Sequence, residues 1–111
     1  MIPREVNVPG YRMFVPTDYS YAEAVQKAID GWFVLIGFVP ENIEDESLYS
    51  FVQDAYDIIV YCINPEMASD LEIVVEPAAS PAGKRLFLTR KGNCTYRLAG
   101  VGEDGLEYER V

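Results

Sequence analysis

Apolar and polar positions alternate along the chain in patterns that predict two helices in its first two thirds. The first covers residues 20–30, where the apolar positions recur at helical spacing and are Tyr21, Val25, Ala28 and Ile29. Ser20 and Glu23 have the spacing of a capping box, in which the serine hydroxyl accepts a hydrogen bond from a first-turn amide. Gly31 follows directly and favours the end of the helix there.

The second predicted helix is longer and covers residues 44–63. It has the strongest periodic signal in the chain, with apolar positions at Leu48, Phe51, Val52, Ala55, Ile59, Cys62 and Ile63. Acidic residues at its start suit the helix dipole, and Asn64-Pro65 ends it. A strand over residues 57–63 is the alternative, because Ile58, Ile59 and Val60 are consecutive. The unbroken helical spacing favours the helix.

A continuous apolar run at residues 32–39 predicts a strand between the two helices. The run is rich in β-branched and aromatic residues and is bounded by Gly31 and Pro40. Such a run is typical of a strand buried on both faces, so we expect it at the centre of the sheet. A shorter β-prone run at residues 11–15 precedes the first helix and ends at Pro16.

The last third of the chain predicts strands joined by turns. Residues 71–76 form the first strand, and a loop rich in Pro and Ala follows at residues 77–84. Residues 85–90 and 93–99 are expected to pair as a hairpin through Lys91-Gly92. A second turn at residues 102–105 leads into a strand at residues 106–111. The candidate core positions of these strands are Leu86, Leu88 and Tyr96, with Arg85, Phe87, Thr89 and Arg97 at the alternating positions.

Helices early in the chain and hairpins late predict an α+β fold. We expect both helices, at about residues 20–30 and 44–63, to pack on one face of a mostly antiparallel sheet of four to five strands with a C-terminal β-meander. A chain of 111 residues has the commonest domain size, so residues 1–111 are expected to form a single domain. Residues 1–10 contain Pro3, Pro9 and Gly10 and predict an extended N-terminal arm, with a short edge strand at residues 5–8.

Charge is segregated along the chain, whose net charge is −9. Residues 31–77 contain ten acidic residues and no Lys or Arg, whereas residues 78–102 contain five basic residues and no acid. The simplest interpretation is that these blocks pair with each other across the fold, with each exposed pair worth less than ~1 kcal/mol. The functional interpretation is that the acidic block faces outward and docks on a basic partner, since charge of one sign raises association rates and selects partners.

The polar side of the long helix is the candidate docking surface. Tyrosine is enriched at interfaces because it combines a large apolar area with a polar tip, and the chain has eight tyrosines. The acids at the helix start and the acidic and tyrosine residues along it form the predicted partner-binding set, which is Glu44, Asp45, Glu46, Tyr49, Gln53, Asp54, Asp57 and Tyr61.

Most catalytic chemistry is excluded or unsupported by the residue types. The chain has no histidine, so it lacks the usual general base and the commonest metal ligand, and we predict no enzyme, no catalytic residues, no metal and no cofactor. Cys62 and Cys94 are expected to be buried free thiols. Glycines at positions 100, 102 and 105 match a dinucleotide fingerprint formally, but they lie between two predicted strands and indicate a hairpin turn.

Three function classes follow from these observations. The leading hypothesis is a small protein-binding module of inhibitor, immunity or regulatory-subunit type that docks on a basic protein surface, with a nucleic-acid mimic as a special case. The alternatives are a self-assembling structural subunit, hence a homo-oligomer, and a small-molecule binder with a pocket lined by Trp32, Phe33, Tyr56 and Tyr96.

Partners and location follow from charge and hydropathy. The basic residues of the predicted hairpin, interleaved with Phe87 and Tyr96, are the only nucleic-acid-like signal, and the overall acidity argues against direct nucleic-acid binding. No apolar run approaches the ~20 residues that cross a bilayer, so no membrane partner is expected. The first five residues lack the apolar core of a secretory signal, and a cytoplasmic protein is expected.

Overall fold

The structure is a computed structural model that describes residues 13–15, 20–79 and 82–110. Within these residues it contains six strands, two α-helices, a π-helical segment and a 3₁₀ helix. In chain order these are β1 (Met13–Phe14), α1 (Tyr21–Ile29), β2 (Phe33–Pro40), α2 (Asp45–Tyr56), the π-helical segment (Asp57–Ile63), the 3₁₀ helix (Pro65–Asp70), β3 (Leu71–Ala79), β4 (Ala82–Arg90), β5 (Tyr96–Gly102) and β6 (Gly105–Arg110). The fold is α+β, as the sequence predicts.

Four strands form a mixed sheet in the order β1-β2-β4-β3. Strand β1 pairs with β2 in parallel, and the other two pairings are antiparallel. The predicted strand at residues 32–39 is confirmed as an inner strand, β2. Full burial is limited mainly to Phe33, Val34 and Leu35, because the register shifts between Leu35 and Gly37 and the middle of the strand is half-buried.

The helices pack on one face of this sheet, as predicted. We call α2 and the π-helical segment together the long helix. Its residues Leu48, Val52 and Ile59 are buried in the same apolar cluster as Val25 of α1 and Leu88 of β4. The opposite face of the sheet buries a second cluster of Phe33, Leu35, Val74 and Phe87, against which Met13, Val15 and Cys94 pack. Strand β4 is therefore covered on both faces, which the alternating pattern of its residues did not indicate.

Helix α1 begins as the capping pattern predicts. The Glu23 backbone N–H donates to Ser20 Oγ over 3.3 Å. Gly31 has a φ of +96°, a conformation that glycine adopts without the steric cost of a Cβ, and the chain leaves the helix there.

The long helix is confirmed over its whole predicted length, but it changes geometry at residue 57. Residues 57–63 are π-helical, so the strand alternative for them is wrong. The wider turn of i→i+5 hydrogen bonding shifts the phase of the apolar stripe. Val60 is fully buried, whereas Cys62 and Ile63 are exposed.

Strand pairing in the last third differs from the prediction in two places. Residues 77–79 and 82–84, predicted as loop, extend the β3–β4 hairpin as far as the pair Ala79 and Ala82. Strand β4 pairs with β2 and β3 and not with β5, so the predicted hairpin of residues 85–90 with 93–99 is wrong. Strand β5 instead pairs with β6 in a separate two-stranded sheet through the predicted turn at residues 102–105.

Hydrogen bonds to distant residues fix the position of the turn after β4. The Lys91 backbone N–H donates to the Asp70 carbonyl over 2.8 Å. Asn93 Nδ2 donates to the Gly31 carbonyl over 3.2 Å and to Thr89 Oγ1 over 3.0 Å. These bonds fasten the segment to the α1–β2 connection and to the start of β3. Tyr96, predicted to face the core, consequently lies exposed at the start of β5.

The N-terminal β-prone run contains a strand, and the two thiols are free but not fully buried. The β-prone run at residues 11–15 contains β1, while the predicted arm at residues 1–10 lies outside the described residues. Both cysteines are free, as expected, but the prediction of burial is wrong: Cys62 is exposed and Cys94 is half-buried.

Candidate functional site

The long helix presents a mixed apolar and acidic face to solvent. Phe51, Ile58 and Tyr61 have exposed fractions of 46%, 51% and 54%. Asp54 and Asp57 are also exposed, and spacings of three and four residues place them beside these apolar side chains. We call these five residues the helix face. Tyr61 was predicted as a docking residue, whereas Ile58 was not and Phe51 was assigned to the core stripe.

Phe51 lies out of the core because of the strand beneath it. A Cβ built on Gly37 of β2 would lie 3.6 Å from the Phe51 ring, so the ring covers a strand position that has no side chain. Gly37 is half-buried as a result. One edge of the helix face therefore rests on the sheet, and the rest of it is open.

The structure divides the eight predicted partner-binding residues into three groups. Glu44, Glu46, Asp54 and Asp57 are exposed carboxylates. Tyr49, Gln53 and Tyr61 line a cleft between the helix and the β5–β6 hairpin. Asp45 is half-buried and points towards that hairpin, since a Cβ built on Gly105 would lie 2.9 Å from Asp45 Oδ2. The eight residues are thus distributed over the exposed side of the helix, the cleft and the contact with the hairpin, and Tyr61 belongs both to the cleft and to the helix face.

The exposed carboxylates are not neutralised within the described part of the chain. None of Glu46, Asp54 and Asp57 forms an ion pair there. The salt bridge seen among the described residues joins Arg97 to Glu109 across the β5–β6 hairpin. The interpretation that acidic residues of 31–77 pair with basic residues of 78–102 is therefore not supported for these three residues.

The residues of the predicted basic hairpin lie in two different hairpins of the structure. Arg85 and Phe87 are buried in β4, and Arg85 stacks over Phe38 with its guanidinium carbon 5.7 Å from the ring centroid. Arg97 belongs to the other hairpin and pairs with Glu109. The residues that suggested a strand-borne nucleic-acid surface do not share one open face.

The cleft has a volume of about 360 Å³ and is walled by aromatic and charged residues. Three tyrosines of the long helix, Tyr49, Tyr56 and Tyr61, line one side of it, and Lys91 and Arg97 line the cleft from the C-terminal third of the chain. The sequence analysis expected a pocket with Trp32, Phe33, Tyr56 and Tyr96, and of these only Tyr56 lines this cleft. Phe33 belongs to the cluster on the opposite face of the sheet.

Hydrogen bonds fix the position of Tyr56 in the cleft. Its hydroxyl donates to the Ala68 carbonyl and lies 3.2 Å from the Leu71 carbonyl, which ties the helix to the start of β3. Its ring meets Tyr61 edge to face with centroids 5.2 Å apart, a contact at the i, i+5 spacing of a π-helical turn. Burial raises the pKa of Tyr56. The neighbouring Tyr61 raises this pKa further, and the nearby Arg97 lowers it.

A buried carboxylate at the start of β3, Glu72, also lines the cleft. Glu72 is 4% exposed, and its Oε1 accepts hydrogen bonds from the Gly92 N–H over 3.3 Å and from the Cys94 thiol over 2.9 Å. Burial, the hydrogen bond to Glu72 and the charge of Glu72 raise the pKa of Cys94 to about 12. The Cys94 thiol is therefore a poor nucleophile at neutral pH.

Other ligand classes find no support among the described residues. No group of three or more Cys, Asp or Glu residues within residues 13–15, 20–79 and 82–110 is arranged to hold a metal ion. In the same part of the chain no helix is both long and apolar enough to span a membrane. We compared the chain with models of known protein families, with curated proteins and with solved structures, and none of the three comparisons finds a match.

Proposed function

We propose that this protein is a cytoplasmic protein-binding module, and not an enzyme, that docks through its helix face on a basic partner surface. The observation that supports this most strongly is the exposure of Phe51, Ile58 and Tyr61 on one helix together with Asp54 and Asp57. Large side chains of this kind supply binding energy when a partner buries them. The intervening carboxylates select the partner by charge.

The charge of the partner follows from the sequence around the helix face. No Lys or Arg occurs anywhere in residues 31–77, so a basic partner meets no like charge along the helix. The partner surface that fits is an apolar groove or patch rimmed by Lys or Arg side chains. Each carboxylate at the rim mainly increases the association rate and makes it depend on salt.

A protein partner is favoured over mimicry of nucleic acid by charge density. Glu46 and Asp57 are eleven residues apart, which is ~16 Å of helix. Duplex DNA carries about ten phosphate charges over that length. The helix presents three exposed carboxylates there, Glu46, Asp54 and Asp57, and places apolar side chains between them.

The test is affinity capture from the native cell type with a charge-reversed variant. Asp54→Lys combined with Asp57→Lys is expected to abolish capture of the partner, because it places two cations opposite a basic site. Glu103→Lys combined with Asp104→Lys is the matched control, since these two exposed acids lie in the β5–β6 turn and are not part of the helix face. The control variant is expected to capture the partner as the wild type does.

Two outcomes contradict the proposal. If the Asp54/Asp57 variant retains the partner with an unchanged circular dichroism spectrum, the helix face is not the docking surface. If light scattering shows a salt-resistant homo-oligomer that the same variant dissociates, the face joins copies of this chain, and the self-assembling alternative replaces the proposal.

A further inference from the structure

We propose that the cleft between the long helix and the β5–β6 hairpin binds a small planar aromatic ligand that carries an anionic group. This site shares Tyr61 with the helix face, but its other lining residues lie outside that face, and ligand binding here does not depend on the proposed docking function. Its volume of about 360 Å³ lies within the range of small-molecule sites. The class of ligand follows from the residues that line it.

The aromatic part of the ligand is argued from the tyrosine wall. Tyr49, Tyr56 and Tyr61 line the cleft together. Tyr56 is held by its hydrogen bonds to the backbone at residues 68 and 71, and the edge-to-face contact with Tyr61 fixes the relative angle of the two rings. A fixed wall of phenol rings favours a flat π system, because offset and edge-to-face contacts form without ordering new side chains.

The anionic part is argued from the two cations. Lys91 and Arg97 line the same cleft, as do two carboxylates, Glu72 and Glu109. Glu72 is buried and already accepts two hydrogen bonds from the protein, and Glu109 pairs with Arg97, so the two cations are the groups left to meet an anion. Glu109 engages one side of the Arg97 guanidinium through Nε and Nη2, which orients this side chain from the neighbouring strand. The remaining guanidinium N–H groups can donate to a carboxylate or phosphate, as in paired recognition by arginine.

Lys91 supplies the second positive charge. Its backbone N–H is fixed to the Asp70 carbonyl, so the side chain leaves the chain at a defined place at the cleft. The Lys91 ammonium forms no ion pair among the residues that the structure describes. Because the net charge of −9 repels anions, binding of one here depends on these two local cations.

The two parts of the ligand predict which probes bind. Phenyl phosphate and benzoate each combine a ring with an anion, and titration calorimetry is expected to give saturable binding of at least one of them, with a dissociation constant on the order of 1 mM. Benzyl alcohol has the ring without the charge, and inorganic phosphate has the charge without the ring. Both are expected to bind at least about fivefold more weakly.

Variants assign the binding to the cleft. Lys91→Gln and Arg97→Gln are each expected to weaken the binding of the probe at least about fivefold. Lys84→Gln and Arg110→Gln remove cations that do not line the cleft and are expected to leave its affinity unchanged. If Arg97→Gln unfolds the β5–β6 hairpin, Lys91→Gln tests the site alone, because Lys91 is exposed and its fold contact is through the backbone.

The probes also distinguish the source of the anion. Binding of phenyl phosphate alone assigns the site to phosphate esters, and binding of both probes assigns it to aromatic anions in general. Failure of both probes to bind overturns the proposal, as does equal binding of benzyl alcohol or of inorganic phosphate. Equal losses in the matched control variants overturn it too, since the effect is then one of overall charge.

Discussion

Tyr56→Phe is the substitution that most sharply tests how the long helix is fixed to the sheet. It removes one oxygen atom and leaves the ring, which packs against the core and against Tyr61. The lost hydroxyl donates to the Ala68 carbonyl and also contacts the Leu71 carbonyl, at the junction of the 3₁₀ helix and β3. The substitution therefore removes only the polar link between Tyr56 and two carbonyl groups that lie twelve and fifteen residues further along the chain.

The expected cost is about 1.5 kcal/mol of unfolding free energy. A neutral hydrogen bond contributes about 0.5–1.5 kcal/mol net, and a buried acceptor that loses its donor adds to the cost. Because Tyr56 is only half-buried, water partly replaces the hydroxyl, which keeps the total below the sum for two fully buried bonds. For a domain of this size the loss corresponds to a fall in melting temperature of roughly 5 °C.

Urea denaturation followed by circular dichroism measures this loss. Tyr61→Phe is the matched control, because its hydroxyl makes no hydrogen bond within the described residues and its side chain is exposed, so a change within about 0.5 kcal/mol is expected. If Tyr56→Phe is as neutral as Tyr61→Phe, the hydroxyl does not link the helix to β3 and the reasoning fails.

Alkaline titration tests the surroundings of the same side chain. The pKa of Tyr56 is raised above its ordinary value of 10.0, so the unfolded chain ionises first and stability is present below pH 10. That stability is expected to fall as the pH rises through the folded pKa, because burial and the neighbouring Tyr61 disfavour the phenolate. Tyr56→Phe is expected to reduce this pH dependence.

Two further predictions concern the thiols and the turns. With a disulfide reagent at pH 8, the exposed Cys62 is expected to react at once and Cys94, whose pKa is about 12, only after denaturation; equal reaction rates in the native protein contradict this. Gly105→Ala is expected to cost about 2 kcal/mol in thermal unfolding, because φ is +115° and the new Cβ meets Asp45 at 2.9 Å, whereas Gly92→Ala has open space and is expected to cost about 1 kcal/mol from its φ of +89° alone. Equal costs for the two glycines mean that Asp45 does not limit the space at the turn.

Features that depend on neighbouring residues were predicted well from the sequence. The Ser20 cap, the inner strand β2 and the turn at residues 102–105 are all set by short-range chemistry. The helix at residues 45–56 follows from its apolar spacing. In each case the local sequence pattern favours a single local structure.

Features that depend on distant residues were not predicted. The Lys91-Gly92 signal favoured a hairpin, but β4 is buried on both faces and takes β2 and β3 as its neighbours. The π-helical turn shifted the apolar stripe, so Cys62 and Ile63 became exposed. Of the residues that line the cleft, Tyr56 was predicted to line a pocket, whereas Tyr49 and Tyr61 were predicted to bind a partner. Lys91 and Arg97 reach the cleft through strand pairing, which the periodicity of the sequence does not predict.

The docking proposal is tested most directly by the footprint of the captured partner on this protein. Titrating the purified partner into the isotope-labelled chain and following amide resonances by nuclear magnetic resonance locates the contact surface. The largest changes are expected within residues 51–61, and they should weaken as salt is raised, because exposed carboxylates contribute to binding. Changes confined to the β5–β6 hairpin, with residues 51–61 unaffected, would contradict the proposal that the helix face binds the partner.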